Sequence, residues 1–228
     1  MKHYLGYEPI DGDYKVLRVA EDGDLAMKHQ VLTLGNGNSW RIIKKFPRHY
    51  LPSSPDICID GVLYYVALLG TGKTDAIISF DVRSEKLRLI KLGLDHAAFC
   101  PRLTNYEGKL ALLFSTNCYQ VRINLWVLED SAKHKWSKKL YVLHDIDIKT
   151  YCCFHPFCTT DAGEIVLAPF EVELVKPFHV LYYHPEKNSV RRVYIEGITE
   201  QTDPSWNKDL EHKTISIFSG QVDNLMFL

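Results

Sequence analysis

A short unit recurs four times along this chain, and it restricts the possible folds more than any other feature. An acidic residue and a glycine stand between apolar runs: Ile10-Asp11-Gly12-Asp13-Tyr14-Lys15-Val16-Leu17, Ile59-Asp60-Gly61-Val62-Leu63-Tyr64-Tyr65-Val66, Tyr106-Glu107-Gly108-Lys109-Leu110-Ala111-Leu112-Leu113 and Asp161-Ala162-Gly163-Glu164-Ile165-Val166-Leu167. The glycines lie 49, 47 and 55 residues apart. Acid-Gly between two apolar runs is a hairpin signal, because glycine accepts the positive φ that tight hairpin turns need. Each unit has a second half built in the same way. In it Val31–Leu34, Ile77–Val82, Ile123–Leu128 and Val180–Tyr183 each meet a polar turn, and a second β-rich run follows.

Each unit thus predicts four short strands in two hairpins. Leu87-Arg88-Leu89-Ile90-Lys91-Leu92 alternates as a half-buried strand does, and no stretch carries a convincing helical period. A four-stranded unit returning every 40 to 50 residues or so is the sequence form of a propeller blade. One such sheet cannot bury both of its faces, so neighbours must stack. The expectation is an all-β, kelch-like array of about four antiparallel blades, in a ring that is either closed or incomplete. A β-sandwich of similar hairpins is the competing architecture. Trp40, Phe80, Trp126 and Tyr182 recur late in the units and are expected as inter-blade core. The whole of 1–228 reads as one domain. Its tail, 199–228, fits the repeat poorly and reads as a closing hairpin, Thr214–Phe218 and Val222–Leu228 about Ser219-Gly220.

The bulk numbers remove several classes. The chain has 228 residues, 46% of them hydrophobic and 24% charged, with a formal net charge of −1. No long-range field gathers nucleic acid or an anionic membrane. The basic run Lys133, His134, Lys135, Lys138, Lys139 reads as a solvated hairpin tip. No stretch approaches the ~18 apolar residues of a helical span, and Met1-Lys2-His3-Tyr4-Leu5-Gly6 does not read as a secretory leader. A cytoplasmic or nuclear location follows as the expectation. The six cysteines, Cys58, Cys100, Cys118, Cys152, Cys153 and Cys158, are then expected reduced and packed.

The residues inside the repeat carry a resemblance. Leu5-Gly6-Tyr7-Glu8-Pro9 with Tyr14-Lys15-Val16-Leu17 is similar to the "GYDP…YKVL" segment of plant F-box-associated domains. His29–Gly35, Ser39-Trp40-Arg41, Ile57–Tyr65 and Ile78–Lys86 continue it in order, closely over residues 4–115 and more loosely to 197. In that family the domain is the C-terminal, substrate-holding part of an adaptor whose F-box docks it on a cullin-RING ubiquitin ligase. The resemblance implies a β-propeller-type protein-recognition module with no catalytic residues and no cofactor. Its partner is an unknown target protein, with a possible link to an SCF-type ligase. No F-box is read in this chain, which leaves a fragment with an incomplete propeller, a stand-alone recognition module or a non-functional remnant.

Three chemical readings compete with recognition. Ala67-Leu68-Leu69-Gly70-Thr71-Gly72-Lys73-Thr74 resembles a relaxed phosphate loop. That mechanism needs a helix directly after the lysine to offer its amides, and the strand-like Ala76–Val82 follows instead. A P-loop-like nucleotide binder or small enzyme at Gly70–Thr74 is therefore the alternative. Cys152, Cys153, His155 and Cys158 gather potential zinc ligands without an evident second pair. Asp145 and Asp147 share a strand face, which alone is thin support for acid–base work. No metal site is expected.

The binding surface is expected at the blade joints, which in a propeller share one face with the loops between second and third strands. The joints are aromatic and basic: Phe46-Pro47-Arg48-His49-Tyr50-Leu51-Pro52, His96-Ala97-Ala98-Phe99-Cys100-Pro101-Arg102 and Tyr151-Cys152-Cys153-Phe154-His155-Pro156-Phe157. Aromatics and arginine anchor protein interfaces. Arg48, His49, Tyr50, Arg102, His155 and Phe157 are the candidates, while Phe99 and Phe154 read equally well as wedges between blades. The nucleotide alternative has a direct check: Lys73→Ala is expected to leave the thermal midpoint in ATP and magnesium unchanged relative to wild type, and a lost ATP-induced shift would revive the phosphate loop.

Overall fold

A computed structural model describes residues 1–22, 26–35, 39–43, 46–47, 49–51, 56–69, 74–92, 101–115, 122–143, 154–169 and 178–196. These residues contain strands and turns and no helix. Blade 1 comprises β1 (Lys2–Glu8), β2 (Asp13–Asp22), β3 (Ala26–Thr33) and β4 (Arg41–Ile42), with β5 (Phe46–Pro47) also paired to β3. In blade 2, β6 (His49–Tyr50) and β7 (Ile57–Ile59) both pair with β8 (Val62–Leu69), followed by β9 (Thr74–Asp81) and β10 (Lys86–Lys91). Blade 3 is β11 (Arg102–Tyr106), β12 (Lys109–Ser115), β13 (Arg122–Asp130) and β14 (Lys135–Val142). Blade 4 is β15 (Phe154–Thr159), β16 (Ile165–Pro169), β17 (His179–His184) and β18 (Ser189–Tyr194). Every pairing is antiparallel between strands adjacent in the blade. The four-unit, all-β expectation therefore holds. Blades 1 and 2 differ from it in having one four-residue-scale strand broken into two short pieces.

The four repeat glycines do the same conformational work. Gly12, Gly61, Gly108 and Gly163 have φ between 74° and 77°. At Asp60-Gly61 both central residues are left-handed, φ 44° and 74°, which is the type I′ geometry that matches strand twist. The first hairpin is wider, and the Glu8 carboxylate closes it by accepting from the Ile10 and Asp11 amides at 2.9 and 2.6 Å. The second hairpins have their own rule. Glu85, His134 and Asn188, each just before the returning strand, take φ of 57°, 52° and 46°.

Alternation along the strands sorts side chains between neighbouring blades. In blade 2, Leu63, Tyr65, Ala67, Ile78 and Phe80 join Tyr4, Leu17, Val19 and Val31 of blade 1. Their sequence neighbours Val66 and Ile77 face the other way, onto Leu103, Leu110, Leu112 and Leu128 of blade 3. Ala111, Leu113, Ile123 and Leu125 of blade 3 meet Phe154, Ile165, Leu167 and Leu181 of blade 4. Each fully buried leucine or isoleucine in these stacks contributes roughly 1.5–3 kcal/mol. No apolar cluster of the described residues joins blade 1 to blade 4. First strands lie side by side, β1 by β7, β7 by β11 and β11 by β15, and form the inner wall of the array.

Two of the four late aromatics follow the inter-blade expectation: Phe80 is fully buried between blades 1 and 2, and Trp126 packs between blades 2 and 3. Tyr182 is part-buried against a cluster within blade 4, on the side away from blade 3, because its neighbour Tyr183 takes the inward position. Trp40 does not follow the expectation either. Arg41, its neighbour, pairs with inward-facing Val31, so alternation turns Trp40 to the outer face of blade 1, where it is exposed. The basic run is likewise only partly a hairpin tip. Lys138 and Lys139 lie on β14, with Nζ atoms 3.8 Å from the Trp126 ring centre and 4.9 Å from that of Tyr106.

Gly6, inside the segment that carries the resemblance, has a packing reason. A Cβ there would stand 2.6 Å from Cγ2 of Val82 in blade 2. Valine has no flexible end to move aside. Gly6→Ala is expected to destabilise by about 1–3 kcal/mol. Adding the same methyl in a Val82→Ala background should cost markedly less, measured as a double-mutant cycle by urea unfolding. Equal costs in both backgrounds would refute the contact.

Candidate functional site

The joint residues divide between two places. Between blades 3 and 4, the innermost strands are tied by a hydroxyl relay. Thr159 N–H donates to Thr104 Oγ1 at 2.9 Å, Thr104 O–H donates to Thr159 Oγ1 at 2.9 Å, and Thr159 O–H donates to the Asn105 carbonyl. Both threonines are buried, so the relay satisfies groups that would each cost about 1–3 kcal/mol if left unpaired. This tie sets β11 beside β15 and so brings Arg102, His155 and Phe157 together. The Arg102 guanidinium carbon lies 4.4 Å from the Phe157 ring centre. Phe157 sits in the irregularity of β15 between Pro156 and Cys158 and is only 3% exposed. His155 is half-buried, and burial, with the Arg102 charge beside it, holds its imidazole below the usual histidine range. Phe154, by contrast, belongs to the apolar cluster between blades 3 and 4, as a wedge would.

The other candidates lie at the joint of blades 1 and 2. Arg48 falls outside the described residues, as do Phe99, Asp145, Asp147 and residues 199–228. Tyr50 pairs with Leu68 through its backbone. His49 is almost fully buried. Its Nε2 is 3.4 Å from the Tyr65 hydroxyl, which is 3.1 Å from Nε2 of His29. Tyr4 stacks on Tyr65 with ring centres 4.7 Å apart. Burial raises the Tyr65 hydroxyl well above the ordinary tyrosine value, with a smaller contribution from Tyr4. This buried His29–Tyr65–His49 group was not foreseen as a set. The alternation placing His29 two residues from Val31 on the blade-facing side of β3 was the available signal.

Polar ties between blades 1 and 2 complete the joint. Glu85, at a blade 2 turn, accepts from Lys15 Nζ at 2.9 Å and from Arg41, both in blade 1. Burial pushes the Glu85 carboxyl up, but the two cations together hold it below its ordinary value. Arg83 and Asp11 form a further exposed pair at 3.4 Å. The Cys58 thiol donates to the Tyr7 carbonyl at 3.6 Å and receives the Tyr7 amide at 3.4 Å. Burial raises its pKa, so this thiol is a structural link with little thiolate character.

The competing chemistries meet specific geometry. Gly70 to Lys73 lie outside the described residues, and Thr74 already opens strand β9. Asp81, at the end of β9, uses Oδ1 to accept from Ser84 N–H at 2.7 Å and Ser84 O–H at 2.8 Å, which closes the turn to β10. Cys152 and Cys153 lie outside the described residues, and Cys158 is buried with Phe157, Val166 and Ala168. Among the described residues no group of three or more His, Cys, Asp or Glu could hold a metal ion. Cys58 and Cys158 are free thiols.

His155 gives a pH signature. Its folded pKa is lowered, so the unfolded chain takes up the proton first as pH falls below about 6.5. The contribution is therefore fully present above that pH and is lost as pH falls from there to the folded value. His155→Gln is expected to flatten the fall in thermal midpoint between about pH 7 and pH 5 relative to wild type. Parallel wild-type and variant curves would refute it.

Comparison with known proteins agrees with the blade stack. The family pattern described as "F-box associated beta propeller domain" matches residues 1–222. F-box protein At2g21930 of Arabidopsis thaliana is 54% identical over 99% of this chain and 59% of its own length. Putative F-box protein At4g38870 of the same plant is 39% identical over 100% and 55%, and F-box protein At1g47340 is 37% identical over 86% and 42%. The chain thus spans about half the length of these curated relatives. Among solved structures, an ACO/RPE65 chimera superposes with a TM-score of 0.45 at 12% identity, covering 85% of this chain and 50% of the other, which carries no functional argument. A match over nearly all of its length, with relatives well above 30% identity, means that the chain belongs to the F-box associated beta propeller domain family.

Proposed function

We propose that the chain is a non-catalytic protein-recognition module, the substrate-holding part of an F-box type ubiquitin-ligase adaptor. The observation that carries this reading is the match of residues 1–222 to the F-box associated propeller family, with relatives named as F-box proteins. Fold alone does not give function, so the reading rests on a site as well. The joint of blades 3 and 4 offers the partly exposed Arg102 and His155 on a base of buried Phe157 and the threonine relay. A cation on a rigid aromatic support is suited to anchoring a partner protein, since little conformational freedom is lost on binding. Arg48, His49 and Tyr50 extend the same reading to the joint of blades 1 and 2. His49 contributes there from the interior, as support for the strand that carries Tyr50.

The experiment is a paired affinity capture from plant extract, quantified by mass spectrometry. Wild type is compared with a variant carrying Arg48→Ala, Tyr50→Ala, Arg102→Ala and His155→Ala. Phe157 is left in place, because its burial would confound binding with folding. A target depleted at least about tenfold by the variant, with an unchanged thermal midpoint, is the expected result. Identical capture by both chains would move recognition away from the joints.

A further inference from the structure

Tyr65 holds its hydroxyl between two histidines, and all three side chains lie inside the molecule. His29 on β3, His49 on β6 and Tyr65 on β8 are 0%, 2% and 1% exposed. Nε2 of His29 is 3.1 Å from the hydroxyl oxygen and Nε2 of His49 is 3.4 Å from it. Taken as hydrogen bonds, the two contacts are unequal. A phenol has a single proton to give, so one imidazole accepts it and the other must donate its own Nε2–H to the phenol oxygen. The 3.4 Å contact is longer than such bonds prefer. Taken as edges of a coordination polyhedron, both fit. Ligands held at about 2.0–2.1 Å from an ion in a tetrahedron stand about 3.3–3.4 Å apart. The ring centres agree. An imidazole bound end-on has its centre about 3.2 Å from the ion, so two such centres lie ~5.2 Å apart at the tetrahedral angle and ~6.4 Å apart at most. The His29 and His49 centres are 5.7 Å apart.

We propose that His29 Nε2, His49 Nε2 and the Tyr65 oxygen form a binding site for a divalent transition ion of the zinc class, which clamps blade 1 to blade 2. The two histidines become a three-ligand site through the tyrosine. Two imidazoles and a phenolate suit zinc and not calcium or magnesium, which take shells of oxygen ligands. Three protein ligands leave one tetrahedral position, and water fills it. Binding sends the phenol proton to solvent, and the imidazole that carried Nε2–H carries its proton on Nδ1 instead. The charge of the ion supports the phenolate that burial alone opposes. The ligands also stand on rigid supports. His29 pairs with Val19 across the ladder and lies two residues from buried Val31. Tyr65 pairs with Ile78 and is stacked by Tyr4, with ring centres 4.7 Å apart. One ligand comes from blade 1 and two come from blade 2. Strand β6 is held to β8 through His49 with Leu69 and Tyr50 with Leu68, so an ion on His49 fixes the short strand that carries Tyr50. The inference does not rest on the recognition reading, since metal uptake is measured without a partner protein.

Zinc titration of the full chain, first stripped with a chelator, tests this by calorimetry and near-ultraviolet difference spectroscopy. The expected result is one tight Zn²⁺ per chain with a Kd at or below about 1 µM. A tyrosinate difference band should grow with the zinc, and Zn²⁺ should raise the thermal midpoint where Mg²⁺ and Ca²⁺ do not. Tyr65→Phe keeps the ring against Tyr4 and removes only the ligand oxygen. It should abolish the band and weaken zinc by more than about tenfold, the least that losing even an outer-shell partner costs. His49→Gln should weaken zinc to a similar degree. The band is read on the wild-type chain, so the test stands even where a variant fails to fold. A chain that takes up no zinc in the micromolar range overturns the proposal. Zinc bound without a tyrosinate band, or bound equally well by a folded Tyr65→Phe, overturns it too and moves the ion to other histidines or cysteines.

Discussion

The structure depends on the fact that a four-stranded sheet with apolar residues on both sides cannot satisfy itself. Blade 2 makes the point most directly. Its strand β9 is buried at every residue from Ala76 to Phe80, with Ile78 and Phe80 given to blade 1 and Ile77 to blade 3. Such a strand has no solvent side, and the sheet exists only between two others. Turns, ion pairs and the threonine relay then act on blades that stacking has already brought together. Glu85 reaching back to Lys15 and Arg41 fixes the angle between blades 1 and 2. The Thr104–Thr159 relay does the same for blades 3 and 4 from the inner wall.

Much of this was legible in the sequence for a simple reason. Acid-Gly turns are local, and a positive φ at Gly61 or Gly108 is required whatever the rest of the chain does. A period of about 50 residues then leaves few architectures. What was not legible is long-range. The sequence reading placed Trp40 in the core by its position in the unit, but the unit does not say which blade is terminal. On blade 1 the alternate face meets no other described blade, and the same aromatic position becomes surface. The His29–Tyr65–His49 group has the same origin. Its members come from β3, β8 and β6, and only the stacking of two blades puts them within hydrogen-bonding distance.

The candidate site was partly readable. The aromatic and basic character of the joints marked them, and the joint of blades 3 and 4 does gather Arg102, His155 and Phe157. The sequence could not rank them by exposure. Phe157 is buried by the irregularity in β15 and serves as the floor on which Arg102 rests. Residue type suggested an anchor, and local backbone geometry made it a support.

The unequal ends of the array bear on how it loses structure. Blades couple only to adjacent blades, so the molecule behaves as a short one-dimensional lattice. An interior blade is held from both sides, whereas blade 1 is held from one and presents solvent-facing leucine and tyrosine on the other. Among the described blades, opening at blade 1 or at blade 4 breaks a single interface, while opening blade 2 or blade 3 breaks two. The outer blades are therefore the parts whose folded population responds most readily to a contact made outside the stack, in a way that the inner blades do not.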